Sequence, residues 1–275
     1  MRASLLEWPV ADETGVADSG GVRIAWRRYG NSPQTVLFIP TWNFVDSRVL
    51  RHQVEGLRNE FRVITFDARG SGQSAHPSSG YSFDHHADDA LAVLDATDTS
   101  SASVVAASLG THGAVLLAAR HPTRVERLVL IAPPMDMPGA EELPESDEDG
   151  SAEPDWRTAY AEFVPWFINR VFSEPDSQAT IDDVVSIALD ADQAMLRQQS
   201  SELDWDRAPG SLADVACPAL VIHGTADRTL RLPAVRAVAA ALPRGTLKLL
   251  DGLGHRPDIR RPDLVNPILA EFVQA

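Results

Sequence analysis

Short β-branched or apolar runs recur along the chain at residues 22–29, 35–39, 61–66, 104–107, 125–131, 219–223 and 246–250, and each predicts a strand. Their largely unbroken apolar character suits central strands covered on both faces. Between them, residues 83–94 and 233–242 repeat apolar positions at helical spacing, predicting helices that pack onto the sheet. Strands alternating with helices are the pattern of parallel βαβ units, so the fold class is α/β. Near the end, Pro267 conflicts with a helix running from Pro262. Reading Asn266 as a cap and Pro267 as the first helical residue resolves the conflict, and turns Ile268, Leu269 and Phe272 inward.

One stretch leaves this rhythm. Residues 139–154 contain AEELPESDEDGSAE, too acidic and too rich in turn formers to order themselves around buried apolar surface, which predicts a solvated loop. Residues 156–206 then carry helical patterns without strands, in WRTAYAEFVPWFINRVF and IDDVVSIALDADQAMLRQQ. The division expected is a core of residues 1–138 and 207–275 with a helical cap inserted at 139–206.

Composition narrows the partners. A chain of 275 residues with 44% hydrophobic and 23% charged residues has the balance of a globular protein, and no apolar run approaches the roughly 18 residues of a membrane span. The opening MRASLLEWPVADE lacks the apolar core of a signal peptide, so a cytoplasmic location is expected. A net charge of −15, with Lys248 the only lysine, argues against a nucleic-acid partner. The single cysteine, Cys217, excludes an internal disulfide and a multi-cysteine metal site; beside Pro218 it reads as a small buried apolar residue.

Candidate chemistry centres on VVAASLGTHGAVLLAA. A strand ending at Ala107 meets a helix starting at Gly110, with Ser108 on the turn between them. Such a turn holds its serine in strained backbone geometry that only small neighbours permit, here Ala106 and Gly110. The helix N-terminus aims N–H groups at charge developing on a bound carbonyl. A serine nucleophile needs a base, and the base needs an acid to orient it. LVIHGTAD places Asp227 just past one strand, and LKLLDGLGH places His255 past the next. Both lie at carboxyl ends of parallel strands, where open α/β sheets bind ligands.

These stations, in the order Ser108, Asp227, His255, resemble the α/β-hydrolase family from about residue 22 to residue 272. FDARGSGQS is similar to that family's D-x-R-G-x-G-x-S turn, and AARHPTRVERLVLIAPP to the stretch following its nucleophile. The turn reads as architectural, so neither Asp67 nor Ser71 is given a chemical part. Ala106 departs from the usual G-x-S-x-G by one methyl group. The resemblance places an oxyanion loop after LFIP, where many members read His-Gly-x and this chain reads Pro40-Thr41-Trp42. It implies backbone donors at Leu109 and Trp42, the Thr41 hydroxyl as an added donor, and the Trp42 ring either as a pocket wall or as core. It also implies a small-molecule ester or thioester substrate, a Ser-His-Asp hydrolase, and no metal or cofactor.

Other readings stay open at this level. Asp136 stands where some members carry the acid instead. His112 and His121, on the helix after Ser108, either pack or line the floor, and His85-His86 beside Asp88-Asp89 reads as a solvated helix face. Aromatic residues crowd the insertion, among them Trp156, Phe163, Trp166, Phe167, Phe172 and Trp205. Of these, Trp156, Phe163 and Trp166 are the expected substrate contacts, which favours a bulky, largely apolar substrate. An aspartate-nucleophile reaction is disfavoured by Ser108, and lyase chemistry relying on a cap lysine by the lysine-free insertion. A biosynthetic thioesterase, an acyl transferase or cyclase, a carbon–carbon bond hydrolase and a non-catalytic ligand receptor remain as alternatives. Oligomeric state has no motif to read.

Overall fold

In the computed structural model, residues 8–137 and 153–275 are described. The strands in chain order are β1 (Glu13–Ser19), β2 (Val22–Tyr29), β3 (Thr35–Ile39), β4 (Arg62–Phe66), β5 (Ala102–Ala107), β6 (Val125–Ile131), β7 (Ala219–Gly224) and β8 (Gly245–Leu250). They form one sheet in the order β1-β2-β4-β3-β5-β6-β7-β8; the β1–β2 and β2–β4 pairs are antiparallel and the rest parallel. Apolar residues on successive positions split between the two faces, as a pleated strand requires. Val36, Phe38, Val105, Ala107, Val129 and Ile131 enter one core. Their neighbours Leu37, Ile39, Val104, Ala106, Leu128 and Leu130 enter the other.

Helices α1 (Arg51–Leu57), α2 (Phe83–Ala96) and α3 (Gly110–Arg120) precede β6. Between β6 and β7 the described residues hold α4 (Tyr160–Val171), α5 (Gln178–Ala188) and α6 (Gln193–Glu202), with no strand. After β7 come α7 (Leu232–Ala241), α8 (Pro257–Arg260) and α9 (Pro262–Gln274). Helices α2, α3 and α7 cover one face of the sheet, while α1 and α9 cover the other and meet the apolar sides of α4 and α5. The acidic stretch expected as a solvated loop falls, apart from Glu153 and Pro154, outside the described residues, and so do residues 1–7. No helix among the described residues is long and apolar enough to cross a membrane.

Two elements differ from expectation. Strand β1 follows a pattern that hides it: Val16 points to solvent while Ala17 and Ser19 are buried. Its pairing rests on the two-residue turn Gly20-Gly21, with φ of +63° and +90°, a backbone that glycine adopts at no steric cost. The last helix starts at Pro262 and runs through Pro267, so Asn266 is no cap. Its carboxamide is turned inward, where Nδ2 donates to the His52 carbonyl at 2.9 Å. Pro267 lacks the N–H that would reach the Asp263 carbonyl, but both residues lie on the exposed side, where water replaces the lost bond. Leu269 faces inward as expected, joined by Val265 and Val273, while Ile268 and Phe272 are half-buried.

Candidate active site

Strand β5 delivers Ser108 at its carboxyl end with φ of +50°, in the left-handed region that non-glycine residues enter at a cost of about 1–3 kcal/mol. The position is over-determined by its neighbours. Ser108 N donates to the Ile131 carbonyl at 2.8 Å, tying the turn to the end of β6. The Ser108 carbonyl accepts from Thr111 N at 3.0 Å and Thr111 Oγ1 at 2.6 Å. Helix α3 begins against the loop after β3, and a Cβ on Gly110 would run into the Pro40 carbonyl oxygen. Gly110→Ala is therefore expected to destabilise the protein by up to about 3 kcal/mol, since a backbone oxygen yields less easily than a side chain. It is also expected to lower kcat at least tenfold by shifting the serine; denaturant midpoints and steady-state kinetics check both.

The loops after β7 and β8 bring the other two residues to the same place. They touch at Gly224, where a Cβ would overlap the Leu253 and Gly254 carbonyl oxygens, so only a glycine allows this approach. Nε2 of His255 lies 2.9 Å from Ser108 Oγ, and its Nδ1 lies 2.8 Å from Asp227 Oδ2. The second oxygen of Asp227 accepts from Thr229 N at 2.7 Å, Thr229 Oγ1 at 2.8 Å and Leu230 N at 3.2 Å. Burial pushes the Asp227 carboxyl up, but the charge and hydrogen bond of His255, with His223 and the Thr229 amide, outweigh it and hold the pKa below the ordinary range. Asp136, the alternative acid, is exposed.

Two further groups belong to this cluster without having been anticipated. Thr229 Oγ1 is 2.8 Å from His255 Nδ1 as well as from Asp227, so one hydroxyl touches both acid and base. An Asp followed two residues later by Thr signals a local turn; the contact to His255 is long-range and left no trace in the sequence. His223, buried on β7, places Nδ1 3.6 Å from Asp227 Oδ2, beyond hydrogen-bond reach, and burial lowers its pKa.

Ser108 and His255 open onto a cleft with two lobes, both bordered by Trp42 and Phe167. The smaller, about 30 Å³, is walled by apolar side chains of α4 and α5, and Thr41 borders it. The larger, about 380 Å³, is walled by Leu109, Trp156, Leu203 and Trp205. Trp42 is thus both wall and core: its ring meets Phe44 edge-on at 4.7 Å and Phe167 at 5.5 Å. Phe163 and Trp166, expected to face the cleft, do not line it. Phe163 stacks on Phe167 at 5.4 Å within the core, and Trp166 turns toward Arg170, whose guanidinium sits 5.0 Å from the ring centre. Phe167, one turn beyond Phe163, takes the place at the wall.

The remaining histidines and acids sort by burial. His85 is exposed, with Nδ1 2.7 Å from Ser82 Oγ, but His86 and Asp89 are buried, so the solvated-face reading holds for only half the group. Asp89 pairs with buried Arg69 from the turn after β4, and no metal-ligating group of three occurs among the described residues. Asp67 accepts from Ser47 and Arg27 and closes that turn, and Ser71 Oγ donates to the Ala68 carbonyl, both architectural contacts.

His112 is fully buried, stacked on Phe83 at 4.1 Å, with neither ring nitrogen hydrogen-bonded. Burial lowers its pKa to about 4, the nearby Leu109 carbonyl offsetting part of the drop. Because the unfolded chain takes up this proton near pH 6.5 and the folded one only near 4, stability falls as pH falls through that window. His112→Leu is expected to match or exceed the original stability at pH 7, where an unpaired buried polar ring is replaced by an apolar side chain. At pH 5 its advantage grows by about 2 kcal/mol. Guanidinium denaturation at the two pH values measures the difference.

Similarity to known proteins accords with this geometry. A family model described as the alpha/beta hydrolase fold matches residues 34–257. A non-heme chloroperoxidase of Streptomyces lividans is 29% identical over 284 residues, covering 94% of this chain and 99% of its own. A bromoperoxidase from Bacillus anthracis shares the fold with a TM-score of 0.83 at 22% identity, over 96% of this chain and 100% of that one. The enol-lactonase from Burkholderia xenovorans LB400 does so with a TM-score of 0.78 at 22% identity, over 95% and 100%. The sheet order, the strand-to-helix turn at Ser108 and a family match spanning most of the chain lead to one conclusion: the chain belongs to the α/β-hydrolase fold family.

Proposed function

We propose that the protein is a serine hydrolase that cleaves an ester or thioester of a small, largely apolar substrate. The observation that carries this reading is the unbroken chain from Asp227 Oδ2 through His255 to Ser108 Oγ, with links of 2.8 and 2.9 Å. Ser108 Oγ attacks the carbonyl carbon while His255 Nε2 takes its proton. The carbonyl oxygen becomes an oxyanion held by the backbone N–H groups of Leu109, at the start of α3, and Trp42. Each such donor is worth roughly 3 to 4 kcal/mol in a well-characterised protease. His255 then protonates the departing alcohol or thiol, and Asp227 stabilises the imidazolium in between. Water enters, gives its proton to His255 and releases the acid, restoring Ser108. The side chains themselves supply nucleophile, base and acid, so the reaction calls for no cofactor.

Helices α4 to α6, within the stretch 139–206, serve as a cap over a core of residues 1–138 and 207–275. The unequal lobes suit one short substituent on the reacting carbonyl and one ring-sized group. Roughly 10–15 Å³ admits one water-sized particle, so the smaller lobe holds only a few carbon atoms. A series of p-nitrophenyl esters tests this directly. Turnover is expected with acetate and butyrate, falling at least tenfold by octanoate, and no turnover above background with His255→Ala. Undiminished rates in that variant refute the mechanism. Tight binding without turnover across the series points instead to a ligand receptor.

A further inference from the structure

Helix α6 places Gln199 at the wall of the larger lobe, fully buried at 0% exposure. Trp42, Trp156, Phe167, Leu203 and Trp205 border the same lobe, together with Arg157 and Ser200, both exposed, and with Thr229 beside His255. The carboxamide has two ends with different fates. Nε2 lies 3.5 Å from Nε2 of His86, a buried ring on α2 that burial, with the charge of Arg69 in addition, keeps neutral at ordinary pH by lowering its pKa to about 3. Oε1 is buried and has no hydrogen-bond partner among the described residues. Anchoring α6 to α2 accounts for the nitrogen and leaves the oxygen unexplained. A leucine or methionine would fill the same volume without burying an unpaired amide oxygen, which is costly in an apolar setting.

We propose that Gln199 is a specificity determinant whose Oε1 accepts a hydrogen bond from the substrate. The ring-sized group that fills the larger lobe then carries an O–H or N–H donor. This rests on the hydrolase reading above, which supplies the reaction at Ser108. An apolar group filling the lobe leaves Oε1 as dry and unpaired as before, whereas a donor-bearing group that reaches it supplies the missing bond. Discrimination of about tenfold to hundredfold is expected from one such bond to a buried neutral group.

The test uses matched aryl acetates that differ at one substituent: hydroxymethyl (donor and acceptor), ethyl (neither) and methoxymethyl (acceptor only), each placed para and meta on the phenyl ring. These leave the phenol a similar leaving group while changing only what the lobe meets. In the wild type, kcat/KM for the hydroxymethyl ester is expected to exceed that for the ethyl ester about tenfold to hundredfold at one ring position, with the methoxymethyl ester no better than ethyl. In Gln199→Met the ratio is expected to collapse toward one, which loss of a purely structural contact does not produce, since that lowers all three alike. Equal rates for the three esters in the wild type, a preference for methoxymethyl, or a hydroxymethyl preference that survives in Gln199→Met overturns the inference while leaving the hydrolase reading intact. Failure of the wild type to hydrolyse any of these esters overturns that reading, and the inference with it.

Discussion

Asp227→Asn is expected to lower kcat by about 10³ to 10⁴ with little change in KM. The carboxylate accepts from His255 Nδ1–H at 2.8 Å and so leaves Nε2 free to accept the serine proton. An asparagine amide in the same place can donate to Nδ1, selecting the tautomer that carries its hydrogen on Nε2 and has no basic site facing Ser108. In a well-studied serine protease the same exchange costs about 10⁴. The smaller loss, about 10³, reflects Thr229, whose hydroxyl, 2.8 Å from Nδ1, can accept the Nδ1 hydrogen in place of the carboxylate. Adding Thr229→Val to Asp227→Asn removes that second acceptor, and the double variant should reach the full 10⁴. Steady-state kinetics on p-nitrophenyl acetate distinguish the two variants; identical rates would mean that Thr229 plays no part in orienting His255.

Ser108→Ala should remove essentially all turnover, about 10⁶-fold by the measure of a bacterial serine protease. Ser108→Gly should do the same and make the protein more stable. The φ of +50° at this position strains any residue with a Cβ, and glycine relieves about 1 kcal/mol of it. A thermal-unfolding midpoint that rises by a few degrees in the glycine variant as activity vanishes would show that the strained turn is kept for its chemistry. A fall in the midpoint would mean that the serine's contacts matter more than its backbone.

Much of this site could be read from the chain because parallel strands end where they act. Three short apolar runs, with Ser108, Asp227 and His255 in the loops that follow them, point to the carboxyl ends of parallel strands, and convergence there is a property of that architecture. What escaped reading is what depends on rotation and on distant partners. Phe163, Trp166 and Phe167 share one helical stripe, and spacing alone does not say which faces the cleft. That is decided by Phe163 stacking on Phe167 and by Arg170 drawing Trp166 aside. Asp89 looked solvated beside three other polar residues, and became buried because Arg69, 20 positions away, pairs with it. Strand β1 was hidden by an exposed valine. The helical run through Pro267 was missed because the cost of the lost bond depends on whether that side of the helix is wet, which sequence does not record.

Mass spectrometry of the protein after reaction with a fluorophosphonate reads out which side chain is the nucleophile. One adduct per chain is expected, on the peptide containing Ser108, formed in step with the loss of esterase activity and absent from Ser108→Ala and, on the same timescale, from His255→Ala. An adduct elsewhere that abolishes activity, or undiminished labelling of either variant, would contradict Ser108 in that role.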